Sequence, residues 1–249
     1  MDNKKILVTS GCSFTFEPWN WPTFVAEGIN YNLKNVGMAS QGNGLISKKL
    51  IYAVDTLLNE GKNPDDILVG VMWSGVDRHE FYSENTNQLN NTDGWVENPT
   101  SVIPHNDNLY RNWIITNPHW EVANSPTYYR LFHNDISAMI LTIQNILLTQ
   151  WYLEKKGVKY FMTTYTDIFF PKTTNRINEP EVQHWFKMVD RTKFLPIGGC
   201  HEWVNENYGK TGGFNSPDNF GFIGIHPTEF GHKKFSEELV IPHIKNNII

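Results

Sequence analysis

KILVTSGCSF, residues 5–14, decides how the chain is read. Lys5 to Thr9 is a short apolar run flanked by charge, the pattern of a buried strand, and it passes at once into Ser-Gly, the chemistry of a sharp turn. A strand of this kind opens a parallel α/β sheet, whose ligand site lies at the carboxyl ends of the strands, where Gly11-Cys12-Ser13 falls. Outward from it the alternation continues. A short helix over Trp21 to Gly28 follows, with Pro22 in its first turn, then a strand from Tyr31 to Val36 that stops at Gly37. Leu45 to Asn59 has helical spacing with Gly61 as its stop. Asp66 to Trp73 is nearly continuous in apolar residues, as a central parallel strand covered on both faces must be.

Beyond Asp77 the periodicity fails until about Leu131. A connection that long in a compact domain is either functional or a small subdomain, and it reads as a lid-like insertion after the third strand. The alternation then resumes with a helix from His133 to Lys156, closed by Gly157, and a strand from Val158 to Thr163. A helix around Glu181 to Thr192, a short strand near Phe194 to Ile197 and a closing helix from Thr228 to Asn246 complete the pattern. No linker, repeat or low-complexity run divides the 249 residues, so one domain is expected over 1–249.

Composition excludes several classes. The net charge is -5, and the 21 Lys and Arg are scattered, so no basic stripe awaits a phosphate backbone and no nucleic acid is expected as partner. The start, MDNKKILVTSGCSF, lacks a signal core. The apolar stretch Ile136 to Leu153 carries Thr142, Gln144, Asn145, Thr149 and Gln150, which suits a packed helix better than a membrane span. A soluble protein with no membrane partner is expected. Cys12 and Cys200 make no disulfide framework. The histidines are dispersed and no pair has the short metal-ligand spacing of an HExxH or CxxC site, and Thr211-Gly212-Gly213 lacks the lysine of a phosphate loop, so neither metal nor cofactor is expected.

Two residues stand where chemistry is possible. Ser13 follows the first strand in a turn whose N–H groups can face an oxyanion, although a serine there also serves as a plain turn cap. His226 precedes Pro227 and Thr228, an N-cap residue, and so sits at a loop–helix junction, a perch for a general base; a lone histidine there is just as well structural. It is the combination that points to chemistry, because imidazole can take the proton that makes a hydroxyl nucleophilic.

GCSF at 11–14, NVGMASQGNG at 35–44, VGVMWSGVD at 69–77 and HPTEFGH at 226–232 resemble, in order and spacing, the four sequence blocks of SGNH (GDSL-like) hydrolases, with the flavour of phage and bacterial members beginning GCSFT. The resemblance implies a flavodoxin-like three-layer α/β/α fold and acyl-ester chemistry through a serine ester. Carried over, Ser13 matches the nucleophile and His226 the base. Backbone donors from Ser13 and Ser40 match the oxyanion hole, with Asn43 close by. Three positions depart from the family. Cys12 replaces the aspartate of the GDS signature, Val76 replaces the asparagine that donates to the oxyanion, and Ile223 stands where the acid of the triad is expected. A missing side-chain donor costs about 2.7–4 kcal/mol of transition-state stabilisation unless another group replaces it. Asn43 is a candidate for that role, and Asp218 or a backbone carbonyl for orienting the imidazole.

Around these, Trp73, Ser74 and Asp77 of the third block, with Arg78 after it, are candidates for binding substrate. Arg78 stands ready to steer an anionic substrate or to pair with a carboxylate. Trp73, Trp95, Trp113 and Trp120 form either a wall for a sugar or the insertion's own core, the second being the commoner use of large apolar anchors. The expected function is a serine esterase acting on a small acyl ester, such as an O-acetyl group on a carbohydrate. A catalytically impaired scaffold for glycan binding or virion assembly, and an O-acyltransferase, are the competing readings. A cytoplasmic or virion-associated location accompanies them.

Overall fold

The computed structural model describes residues 4–82, 113–116, 125–169, 176–209 and 226–249. Its centre is a parallel sheet of β1 (Ile6–Ser10), β2 (Asn32–Asn35), β3 (Ile67–Trp73) and β6 (Lys159–Thr164), in the order β2-β1-β3-β6. Every pair is parallel, with Leu7 beside Leu33 and Leu68, and Val69 beside Tyr160. Phe194 extends the pairing by a single parallel bridge to Met162, where the sequence predicts a short strand.

Alternation along the strands makes the layers. On β3, Ile67, Val69, Val71 and Trp73 point to one face, where α3 (Asn43–Asn59), α5 (Asp135–Lys156) and α6 (Pro180–Phe186) cover them with Leu50, Val54, Ile143, Ile146 and Val182. Leu68 and Met72 point the other way, with Leu7 and Phe161. There α2 (Trp21–Ile29), α7 (Cys200–Tyr208) and the C-terminal helices supply Trp21, Val25, Val204, Phe235 and Ile244. All seven residues of β3 are buried, which is why that segment reads as an unbroken apolar run. The fold is therefore the three-layer α/β/α type expected, with β2, polar and half exposed, at the edge.

The described part of the 77–131 region is an antiparallel ribbon, β4 (His79–Tyr82) with β5 (Trp113–Thr116), followed by α4 (Ser125–Leu131). Tyr129 pins it, its one hydroxyl proton shared between the carbonyls of Asp77 and Thr116, 2.6 and 3.0 Å away. Trp113 packs on Met38, Leu45 and Ile115, in accord with the core reading; Trp95 and Trp120 lie outside the described residues.

The closing segment departs from a single helix. It runs as α8 (Glu229–Phe235), a π-helical turn at Ser236–Val240 and α9 (Ile241–Asn247). Pro242 lacks the N–H that would bond the carbonyl four residues back, so the helix widens ahead of it.

Candidate active site

The sheet order reverses between β1 and β3, and at such a switch point the loops leaving the carboxyl ends separate and open a crevice. Ser13 leaves β1 there as the first residue of α1 (Ser13–Phe16), a single turn whose cap, Cys12, accepts the N–H groups of Thr15 and Phe16. The turn needs Gly11, because a Cβ there would stand 2.2 Å from Thr15 Oγ1 and 2.9 Å from the Met72 carbonyl. Two asparagines brace it. Asn20 Nδ2 donates to the Ser13 carbonyl at 2.7 Å, and Asn35 Nδ2 to that of Thr15 at 2.6 Å.

His226 approaches from the other end of the chain, two residues before Thr228, whose hydroxyl accepts the Gly231 N–H and caps α8. Ser13 Oγ and His226 Nε2 lie 2.7 Å apart, across 213 residues of sequence. That is within the hydrogen-bond reach required of a nucleophile and its base. Phe14, itself buried, lays its ring 4.9 Å from the imidazole, and Tyr165 meets the edge of Phe14 at 5.3 Å. His232, buried below them, has its pKa pushed down to about 3, first by burial and then by His226, so it brings no charge to the site near neutral pH.

Ser40 has left-handed backbone geometry, φ 65°, in the turn after β2. That turn is tied to the first by Met38 N–H on the Gly11 carbonyl at 3.0 Å, and by Gln41 Nε2 on the Ser10 hydroxyl and Gly11 carbonyl, both at 3.4 Å. Arg78 Nη1 donates to the Gln41 carbonyl at 3.4 Å, with its guanidinium 5.6 Å from the Tyr165 ring. The turns after β1, β2 and β3 thus form one assembly. Asn20, Gln41, Phe14 and Tyr165 are the members the sequence reading missed. Each acts through a contact across the fold that no local pattern announces.

Three expectations are corrected. Asn43 is 4 % exposed, and its amide clamps the end of β3: Oδ1 accepts Ser74 N–H at 2.8 Å, and Nδ2 donates to the Ser74 carbonyl and the Thr142 hydroxyl, each at 3.1 Å. With both N–H groups committed, it has none for an oxyanion. Trp73 is fully buried, its indole N–H directed at Met162 sulfur, and belongs to the core rather than to a binding wall. Ser74 is equally buried and offers a ligand no side chain. Asp77 and Arg78 stay partly exposed and line a cavity of about 240 Å³ with Lys48, His79, Glu80 and His133. Asp218 and Ile223 lie outside the described residues. A larger cavity of about 710 Å³ flanks β6 near Phe186, Arg191 and Phe194, and neither Ser13 nor His226 lines it.

Glu80 is a buried carboxyl with a strongly raised pKa. Burial lifts its carboxyl from 4.5 to about 7, against the pull of the Leu45 and Gly42 N–H groups, Lys48 and Arg78. The folded chain therefore holds this proton more tightly than the unfolded chain. The stability it contributes is full below about pH 4.5 and is lost as pH rises through 7. Glu80→Gln has no such proton. Its stability relative to wild type is expected to rise by up to roughly 3 kcal/mol between acidic and mildly alkaline pH, read by urea unfolding at about pH 4.5 and 8. A constant difference would mean that Glu80 titrates as an ordinary exposed acid.

Residues 8–175, about two thirds of the chain, match the family described as "Family of unknown function (DUF6071)". No curated protein matches the sequence. Among solved structures, a protein assigned to the lipolytic G-D-S-L family from Desulfitobacterium hafniense DCB-2 is similar at 14% identity and TM-score 0.45, over 94% of this chain and 96% of that one. The acetyl xylan esterase AlAXEase is similar at 11% identity and TM-score 0.42, over 98% and 100%. Likeness at this level carries no argument about activity, which has to come from the side chains.

Proposed function

We propose that the chain, which belongs to DUF6071, a family of unknown function, is a serine ester hydrolase with Ser13 as nucleophile and His226 as general base. One observation carries the reading: the 2.7 Å approach of Ser13 Oγ to His226 Nε2 at the switch point of a parallel sheet. Ser13 Oγ bonds to the acyl carbon as its proton passes to His226, and the carbonyl electrons move onto oxygen. The N–H groups of Ser13 and Ser40 hold that oxyanion. The tetrahedral adduct collapses, and the alcohol departs with the proton from His226. Water then attacks the acyl-serine ester by the same relay, releasing the acid and restoring Ser13. Asp218 is proposed as the orienting acid.

The substrate class we propose is a small acyl ester on a carbohydrate. Trp19, 49 % exposed and six residues from Ser13, offers an aromatic face of the kind that stacks on a sugar ring. The test is a fluorophosphonate probe read by intact mass. Wild type is expected to gain the mass of the probe less hydrogen fluoride, and Ser13→Ala and His226→Ala to gain nothing. A folded wild type that stays unlabelled defeats the assignment.

A second reading, glycan binding without turnover, is favoured by Val76 at the asparagine position together with the commitment of the Asn43 amide to β3. It predicts binding of an acetylated glycan with no acetate released. Transfer in place of hydrolysis would appear as an acetylated acceptor sugar among the products.

A further inference from the structure

Glu80 belongs to the β4–β5 ribbon, outside the parallel sheet, yet its carboxylate reaches the first turn of α3. That helix has an unusual start. Its N-cap is Gly42, which has no side chain to satisfy the exposed N–H groups of the first turn. Glu80 supplies what the cap lacks: Oε1 accepts the Leu45 N–H at 3.2 Å, and the Gly42 N–H is a second backbone donor. The cradle is cut to fit. A Cβ on Gly42 would stand 2.4 Å from Oε1, and one on Gly44 2.8 Å from Oε2, so the glycines on either side of Asn43 leave room for the carboxylate and nothing more. Lys48 of α3 and Arg78 of the β3–β4 turn face it with positive charge. Asp77, His79 and His133 share its cavity.

The residue held in this way ends the oxyanion turn. Gly42 follows Gln41, whose carbonyl takes Arg78 and whose side chain reaches Gly11, and Ser40 stands one residue earlier in its left-handed conformation. We propose that Glu80 is a positioning residue of the acyl-transfer site, fixing the Gly42–Leu45 backbone and through it the Ser40 peptide. The inference rests on the esterase reading. It explains why a ribbon from the long insertion is anchored here, since the ribbon carries the group that completes the start of α3.

Hydrogen exchange of the amides in 38–46 and steady-state hydrolysis of p-nitrophenyl acetate test it together, on the full chain. Glu80→Ala is expected to speed that exchange about tenfold and to lower kcat about tenfold, with KM nearly unchanged. Glu80→Gln, which keeps the Oε1 acceptor, is expected to restore both. Glu80→Asp, one methylene short, is expected to behave as the alanine variant does, and replaces it should alanine prevent folding. Unchanged exchange overturns the proposal, and so does faster exchange with unchanged kcat. A wild type without esterase activity defeats the esterase reading instead; the exchange arm then still decides whether Glu80 holds the turn, unchanged exchange sinking that too.

Discussion

Ser13→Ala is expected to lower kcat/KM for p-nitrophenyl acetate by about three orders of magnitude or more, while the melting temperature moves by no more than about 2 °C. The loss is large because the substitution removes the atom that attacks, and what survives is the smaller contribution of binding and oxyanion stabilisation. The structural cost is small because the bonds that shape the turn are backbone bonds. Cys12 still caps α1, and Asn20 still holds the residue-13 carbonyl. His226→Ala is expected to cost a similar amount, and the double variant little more than either single one, since the two side chains act as a unit. Kinetics on the three variants, with circular dichroism melts alongside, decide the matter. A Ser13→Ala enzyme within about tenfold of wild type removes Ser13 from the mechanism, and additive losses in the double variant remove the coupling.

The sequence made this pair legible for a physical reason. Ser13 follows a strand that had to be buried, and His226 precedes a threonine that had to cap a helix. Each position is set by local backbone chemistry, and the shared end of a parallel sheet does the rest. β3 was legible because both of its faces are covered, and α5 because its cap Asn134 and stop Gly157 mark its ends. Other elements left no such mark. α1 is a single turn, too short for a periodic signal, and α7 buries only Cys200 and Val204 along its nine residues, too sparse an apolar face to stand out. The helix expected over Glu181 to Thr192 ends at Phe186; the chain beyond it, with Val189 still buried, is bound instead by Gln150, which donates to the Met188 carbonyl and accepts the Asp190 N–H. Asn43 was misread for a different reason. It lies close to the Ser40 turn in sequence, but its orientation is decided by the end of β3, 31 residues away, whose peptide it clamps. Glu80 was passed over because its partner is the backbone of Leu45, 35 residues distant. The cap of α3 is Gly42 rather than the neighbouring Asn43, and a helix start with no capping side chain has to be satisfied from elsewhere.

Trp73→Ala is expected to destabilise the fold by about 3–5 kcal/mol, the cost of emptying a buried tryptophan site. In a chain of this length that corresponds to a fall of about 6–20 °C in melting temperature. Trp73 ends β3 fully buried, on the face packed by α3 and α5, where no solvent can fill the space it leaves. Its indole N–H and the Met162 sulfur, 3.4 Å apart, also link β3 to β6, so the cavity opens against both strands on that face of the sheet. Trp73→Phe keeps most of the volume and is expected to cost markedly less. The same residue separates two accounts of the aromatic content. Were Trp73 part of a sugar-binding wall, its loss would raise KM for a glycan ester and leave the melting temperature alone. As a core residue it does the reverse: below the variant's melting transition KM stays near that of wild type, because the Ser13–His226 pair and the Ser40 turn are held by contacts that do not pass through the indole ring.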